Sequence, residues 1–391
     1  MSDRDYYCSC KFRLMKIDAE KKLTYNCDPA MPQNIDFTWL EKNPGKLFNS
    51  PLVLDERQMM LENKRNSSCE QNCFKAEDVG AVSPRIIRQG YVKSHTNIVT
   101  DPEIIDLTIG SDCNLTCSYC CKEYSSAWRN DLLANGDYST VKVSDNRWTI
   151  DTRDLIISRN SQPVRTGAKH FQLLLDEMKL LSETLKTLVI TGGEPFLNNS
   201  LLTIIEKVKS VPDIKIFSGL GVEYKRFNQM LDKLKEYTNV RIAISAETLG
   251  KMAEFNRYGI NYDDFLRKLD LLEEKNIKYI FHSTLSNLTI FDFPNFYNRF
   301  KYLVEEYDLV YQPEFMSIYV IDPKSKDKIK EQLSATDFFA KDKIIQSLDL
   351  DPTQEQIRNL KMFLTEFTSR RSDLNIDIYP RSFLDWITAN A

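Results

Sequence analysis

Between residues 100 and 320, short apolar runs alternate with longer amphipathic stretches. Residues 104–109, 188–191, 214–218, 240–245, 279–284 and 309–314 are apolar and bounded by turn formers, and they read as strands. Residues 169–184, 200–210, 223–237, 263–275 and 295–306 carry apolar positions three and four apart, and they read as helices. Six strand–helix units in series predict an α/β fold with a parallel sheet, curled by right-handed crossovers into a partial (βα)6 barrel. Chemistry then belongs at the C-terminal ends of the strands.

Three stretches lie outside this repeat. The first 95 residues show little periodicity: 12–25 suggests a hairpin turning near Asp18-Ala19-Glu20, 29–51 reads as loop, and 55–63 reads as a short helix. An insert at 123–167 contains Val141-Lys142-Val143 and Arg147-Trp148-Thr149-Ile150 around Ser144-Asp145-Asn146, which predicts a second hairpin. A tail from Asp322 is helical near 328–346 and 354–369. The expected organisation is therefore a Cys-rich domain at 1–95, the barrel at 96–321 and a helical extension at 322–391.

Charge and composition narrow the class. A net charge of −4 offers no basic field for nucleic acid or anionic lipid. No apolar run approaches the roughly 20 residues of a membrane helix, and Met1-Ser2-Asp3-Arg4-Asp5 opens no signal-type segment. Cytoplasm is the expected location, where clustered cysteines bind metal or do redox chemistry more often than they pair.

The chain has nine cysteines. Three of them, Cys113, Cys117 and Cys120, stand at C-x3-C-x2-C spacing just beyond the strand at 104–109. Three thiolates suit a soft metal centre and are too few for a closed structural zinc site. A [4Fe–4S] cluster takes four cysteines, so three leave one iron open. A zinc site completed by a distant residue, or three buried thiols, are the competing readings. Cys121 reads as a packed thiol. A second motif, Gly192-Gly193-Glu194-Pro195, ends the strand at 188–191. Its glycines admit a ligand close to the backbone, and its carboxylate can accept from an ammonium group. Strand alternation places Ser245 and Glu247 on one face near the mouth of the barrel. His282 is a substrate-side candidate only.

The cysteine loop, with Tyr119 in its aromatic position, resembles the signature of the radical S-adenosylmethionine (SAM) superfamily. That resemblance implies that Cys113, Cys117 and Cys120 each bind one iron of a [4Fe–4S] cluster, and that SAM chelates the open iron. Tyr119 would pack near the adenine. Gly192, Gly193, Glu194 and Pro195 resemble the element that grips the SAM amino group, and Ser245 matches a ribose-contacting position, with Glu247 beside it. Such enzymes cleave SAM reductively to a 5′-deoxyadenosyl radical that takes hydrogen from a substrate, and they need a low-potential donor of flavodoxin or ferredoxin type.

Cys8, Cys27, Cys69 and Cys73 can enclose zinc or an iron–sulfur cluster. Their arrangement resembles a twitch (shortened SPASM-type) domain holding an auxiliary [4Fe–4S] cluster, as in a subgroup of radical SAM proteins, many of them phage-encoded. Host cytoplasm would then be the location. The same resemblance takes in Glu254-Phe255-Asn256-Arg257-Tyr258-Gly259 and the stretch from Arg370-Arg371-Ser372-Asp373 through Phe383-Leu384. Related proteins close the auxiliary site with C-x2-C, whereas Cys69 and Cys73 are one residue further apart, and Cys10 is an alternative to Cys8. A peptide or protein substrate stands slightly ahead of a small molecule. The alternative is a non-catalytic iron–sulfur or zinc-binding scaffold or sensor.

Overall fold

The computed structural model describes residues 6–27, 30–78, 83–88, 95–143, 147–149 and 168–391. In chain order its strands are β1 (Leu14–Asp18), β2 (Leu23–Tyr25), β3 (Gln33–Asn34), β4 (Ile104–Thr108), β5 (Thr116–Cys117), β6 (Thr187–Thr191), β7 (Asp213–Ser218), β8 (Val240–Ser245), β9 (Arg257–Tyr258), β10 (Lys278–Leu285) and β11 (Val304–Leu309). The chain divides into two compact units. One is Met1–Gly110, Gln162–Ile216 and Glu236–Arg241; the other is Ser111–Ser161, Phe217–Lys235 and Ile242–Ala391.

The first unit is built on parallel pairing. β4 pairs with β6 from Ile104↔Thr187 to Thr108↔Thr191, and β6 pairs with β7. Ile105, Leu107, Leu188, Ile190, Ile214 and Ile216 alternate into its core at 2% exposure or less. The expected hairpin forms, with β1 antiparallel to β2 from Lys16↔Tyr25 to Asp18↔Leu23. Its other edge pairs in parallel with β4, Leu14 opposite Ile104. The helix Lys169–Leu181 presents Phe171, Leu174, Leu175, Met178 and Leu181 to the core, as its period requires. Its buried Glu177 accepts hydrogen bonds from Gly45 N (2.5 Å) and Leu47 N (2.7 Å). The 29–51 stretch is not all loop. Asp36 caps a helix at Phe37–Lys42 by accepting from Trp39 N at 2.9 Å, a local signal that outweighs the surrounding Pro and Asn.

In the second unit β8, β10 and β11 are neighbours, and β10 and β11 run parallel. The last strand lies at Val304–Leu309 rather than 309–314, and the preceding helix ends at Phe300 rather than at 306. Only Val304 of that strand is buried, so its charged sequence hides it from an apolar-run criterion. The tail helix expected at 328–346 is two helices, Pro323–Ser334 and Lys341–Leu348, whereas Gln354–Ser369 forms as expected under a Thr353 capping box. A further helix follows at Arg381–Asn390. The turn expected at 144–146 lies outside the described residues. Its flanks at 141–143 and 147–149 are not strands; Trp148 is buried among aromatic rings instead.

The α/β class expected from the sequence is therefore the class found. β4, β6, β7, β8, β10 and β11 alternate with helices, the sheet is mostly parallel, and the C-terminus is helical. Among the described residues no helix is long and apolar enough to cross a membrane.

Candidate functional site

Residues 111–121 continue directly from the β4 end of the first unit. Within the second unit, the cysteine loop is held at both ends. Ser126 Oγ accepts from Cys113 N at 3.0 Å, and Ala127 N donates to Cys113 O at 3.0 Å. Cys117 sits in β5, antiparallel to β9 and opposite Arg257. Ser118 donates from its backbone N to Asn256 O (2.8 Å) and from Oγ to Asn256 Oδ1 (3.1 Å). Gly259, at φ +106°, lets the loop approach: a Cβ there would stand 2.8 Å from Asn114 O.

The three thiols share one electrostatic neighbourhood. Burial pushes Cys120 well above the usual thiol range, and the charges of Cys121, Cys117 and Cys113 add to it. Burial also raises Cys117, while the Arg257 guanidinium opposes the rise from 4.0 Å. Leu115 N approaches Cys113 Sγ at 3.5 Å. Cationic and N–H groups aimed at sulfur favour the thiolates that an iron–sulfur cluster needs. Among the described residues, no three His, Cys, Asp or Glu side chains are gathered around a single ion. Three thiols on one loop are the donor type that an iron–sulfur cluster takes.

Tyr119 and Glu247 come together. Glu247 is fully buried, pairs with Arg257 at 2.7 Å and accepts from the Tyr119 hydroxyl at 3.2 Å. The Arg257 guanidinium lies 5.7 Å from the Tyr119 ring centre. Burial works against the charge of Arg257, but Glu247, Tyr119 and Cys117 outweigh it and raise its pKa. The sequence gives Arg257 no role of its own, because its partners are 10 and 140 residues away. Ser245 is half-buried at the end of β8. His282 is hydrogen-bonded to Asp308 at 3.0 Å and packs edge-on against Phe217. Cys121 is buried and pushed up to about 12, by burial first and then by Glu123.

In the first unit, the Gly192–Pro195 turn stands against the end of β4. Gly193 N donates to Gly110 O at 2.9 Å, and a Cβ on Gly192 (φ +150°) would lie 2.7 Å from that oxygen. Only glycine fits such an approach. Glu194 is 2% exposed and accepts from Phe196 N at 3.2 Å, which turns the chain into Pro195–Leu197. Asn198 donates to Ile109 O at 2.7 Å, a contact the sequence pattern does not signal.

The first unit also gathers the other cysteines. Cys8, Cys10, Cys27, Cys69 and Cys73 line one small cavity with Arg85 at its edge. Cys8 is raised by its hydrogen bond with Cys10 and then by burial. Burial raises Cys69 and Cys73, opposed by Lys11 and Arg85 respectively. Both cations are buried and paired: Lys11 with Glu56 at 2.5 Å and with Asn26 at 2.6 Å, and Arg85 with Glu77 at 2.5 Å. Five sulfurs around one cavity, with two cations behind them, suit a polynuclear thiolate-bound centre.

Residues 107–300 match the model of the Radical SAM superfamily. No curated protein matches the chain. Solved structures similar to it include native anSMEcpe with bound AdoMet (14% identity, TM-score 0.37, 59% of each chain covered). Streptococcus suis SuiB bound to S-adenosylmethionine is 12% identical at TM-score 0.32, over 86% of this chain and 68% of that one. TYW1 with a lysine-pyruvate adduct is 17% identical at TM-score 0.32, over 72% and 81%. The chain spans 59% of the length of the first of these.

Proposed function

We propose that the chain, whose residues 107–300 match the Radical SAM superfamily model, is a radical SAM enzyme that removes hydrogen from a peptide or protein side chain. Cys113, Cys117 and Cys120 hold a [4Fe–4S] cluster in this reading. The observation that carries it is the C-x3-C-x2-C trio on one braced loop, with Cys113 tied to Ser126 and Ala127 and Cys117 paired in β5 opposite Arg257. Cluster and SAM together supply one-electron cleavage of the sulfonium and a carbon radical able to take hydrogen from an unactivated C–H bond. The chain's residues do the rest. Arg257 keeps positive charge beside Cys117, and Glu247 holds both Arg257 and the Tyr119 hydroxyl in place. The Gly192-Gly193 backbone leaves room for a ligand against the strand end, and Glu194 offers its carboxylate to the SAM ammonium. Ser245 is the ribose-side contact.

Cys8, Cys27, Cys69 and Cys73 hold an auxiliary [4Fe–4S] cluster in a twitch-like N-terminal segment, with Cys10 the alternative to Cys8. A flavodoxin- or ferredoxin-type donor in the cytoplasm supplies the electron. The test is anaerobic reconstitution of the full chain with iron and sulfide, iron counting, and detection of 5′-deoxyadenosine after reduction with SAM present. Two clusters and SAM-dependent 5′-deoxyadenosine support the reading. Zinc in the cysteine loop, or iron without SAM cleavage, overturns it.

A further inference from the structure

The peptide carrying Cys113, Cys117 and Cys120 is fastened by parts of the second unit that the strand–helix repeat does not need. The Trp128 indole N–H donates to Cys117 O at 2.9 Å, and the Trp148 indole N–H donates to Cys120 O at 3.1 Å. Arg371 donates from Nε and Nη2 to Thr116 Oγ1 at 3.3 and 3.1 Å, and from Nη1 to the Tyr138 hydroxyl at 3.2 Å. Trp148 belongs to the insert and Arg371 to the tail.

These donors are themselves immobilised. Both indoles are 1% exposed or less, and their rings lie 6.0 Å apart. Trp148 packs on Phe363 at 4.8 Å, and the Arg371 guanidinium lies 3.9 Å from the Phe367 ring centre. Phe363 and Phe367 both belong to Gln354–Ser369, so one tail helix backs both donors. A buried peptide carbonyl with a fixed donor cannot rotate its plane without losing that bond. The carbonyls held here belong to two of the three cysteines, and the hydroxyl held by Arg371 precedes one of them.

We propose that Trp148 and Arg371 are positioning residues that set the aim of the cysteine side chains, so that the insert and the tail serve as the mount of the cluster loop. The proposal rests on the radical SAM reading. Packing alone predicts lower thermal stability in variants and nothing more. Aim predicts a change in the cluster itself.

The test uses the full chain, reconstituted anaerobically, with Trp148→Phe and Thr116→Val. The first keeps a ring and deletes the N–H; the second deletes the acceptor of Arg371 without touching a cysteine. Arg371→Lys keeps the charge and loses the fork. Each is assayed for iron release to a ferrous chelator and for the electron paramagnetic resonance spectrum of the reduced cluster with and without SAM. Iron-free samples are assayed for the alkylation rate of Cys120. Trp148→Phe and Thr116→Val are expected to fill with iron, to release it about fivefold faster, the factor one buried hydrogen bond is worth, and to show a shifted spectrum. Arg371→Lys, which keeps the charge, should show a smaller change than Thr116→Val. Parental release rates, spectra and alkylation, with only the melting temperature lowered, would overturn the proposal while leaving the radical SAM reading intact. A parent chain that takes up no cluster on this loop would overturn both.

Discussion

Glu247 and Arg257 form a two-pronged ion pair, Nη2 to Oε2 at 2.7 Å and Nε to Oε1 at 3.1 Å, with almost no solvent on either side chain. Such a pair costs much to break and little to remove whole. Arg257→Met should lower stability by about 3–5 kcal/mol because Glu247 is left charged and buried. Arg257→Met combined with Glu247→Gln should recover a large part of it. Denaturant melts of the two variants check this; equal losses would mean the pair is not the source.

Cys121 follows a proposed ligand directly yet is packed away, with its thiol at about 12. A free thiol near 8.5 becomes more reactive between pH 7 and 9. A group titrating near 12 stays protonated over that whole window. Iodoacetamide labelling of Cys121 in the folded, iron-free chain should therefore stay far below that of a free thiol throughout pH 7 to 9 and reach it only on denaturation. Cys121→Ala should retain the parental iron count.

Five cysteines surround the N-terminal cavity, one more than a cubane takes. Cys73→Ala should lose the iron of this site while the 113–120 loop keeps its own. Cys10→Ala should keep both. Iron-to-protein ratios after anaerobic reconstitution decide it, and a Cys10→Ala chain short of iron would make Cys10 the ligand in place of Cys8.

Glu194 does two things, and they separate. Its Oε1 caps Phe196 N, while its charge is the proposed handle for the SAM ammonium. Glu194→Gln keeps an acceptor for the cap and removes the charge, so it should weaken SAM binding roughly tenfold, within the range of charge-assisted hydrogen bonds, with melting temperature close to the parent. Glu194→Ala should show both losses. Equilibrium binding of SAM to the reconstituted chain is the measurement.

Gly192→Ala places a methyl group against Gly110 O, 2.7 Å away. The backbone must shift, so the variant should melt several degrees lower and bind SAM poorly. Normal melting and normal SAM affinity together would remove the close approach from the account of this turn.

The legible parts of this chain are those whose signal is local. The strands at 104, 188, 214, 240 and 279 announce themselves as apolar runs, and the cysteine spacing lies within eight residues. What the sequence hides is carried by distance. Arg257 meets Cys117 across 140 residues, and Arg371 meets Thr116 across 255. Glu247 reads as a pocket residue because alternation puts it near the mouth, but alternation says nothing of the guanidinium it pairs with. The last strand was displaced by five residues because charged side chains cover its exposed face. Sequence also cannot see that β1 continues the sheet, since register between strands about 90 residues apart is set by tertiary packing.

That continuation bears on how the protein can be cut. β1 satisfies β4 along one side from Leu14↔Ile104 to Asp18↔Thr108, and β2 in turn covers β1. A truncation beginning near residue 96 would not liberate a self-sufficient fold. It would bare a row of amide and carbonyl groups on the strand that leads into Cys113, an adhesive border that invites chains to stick to one another.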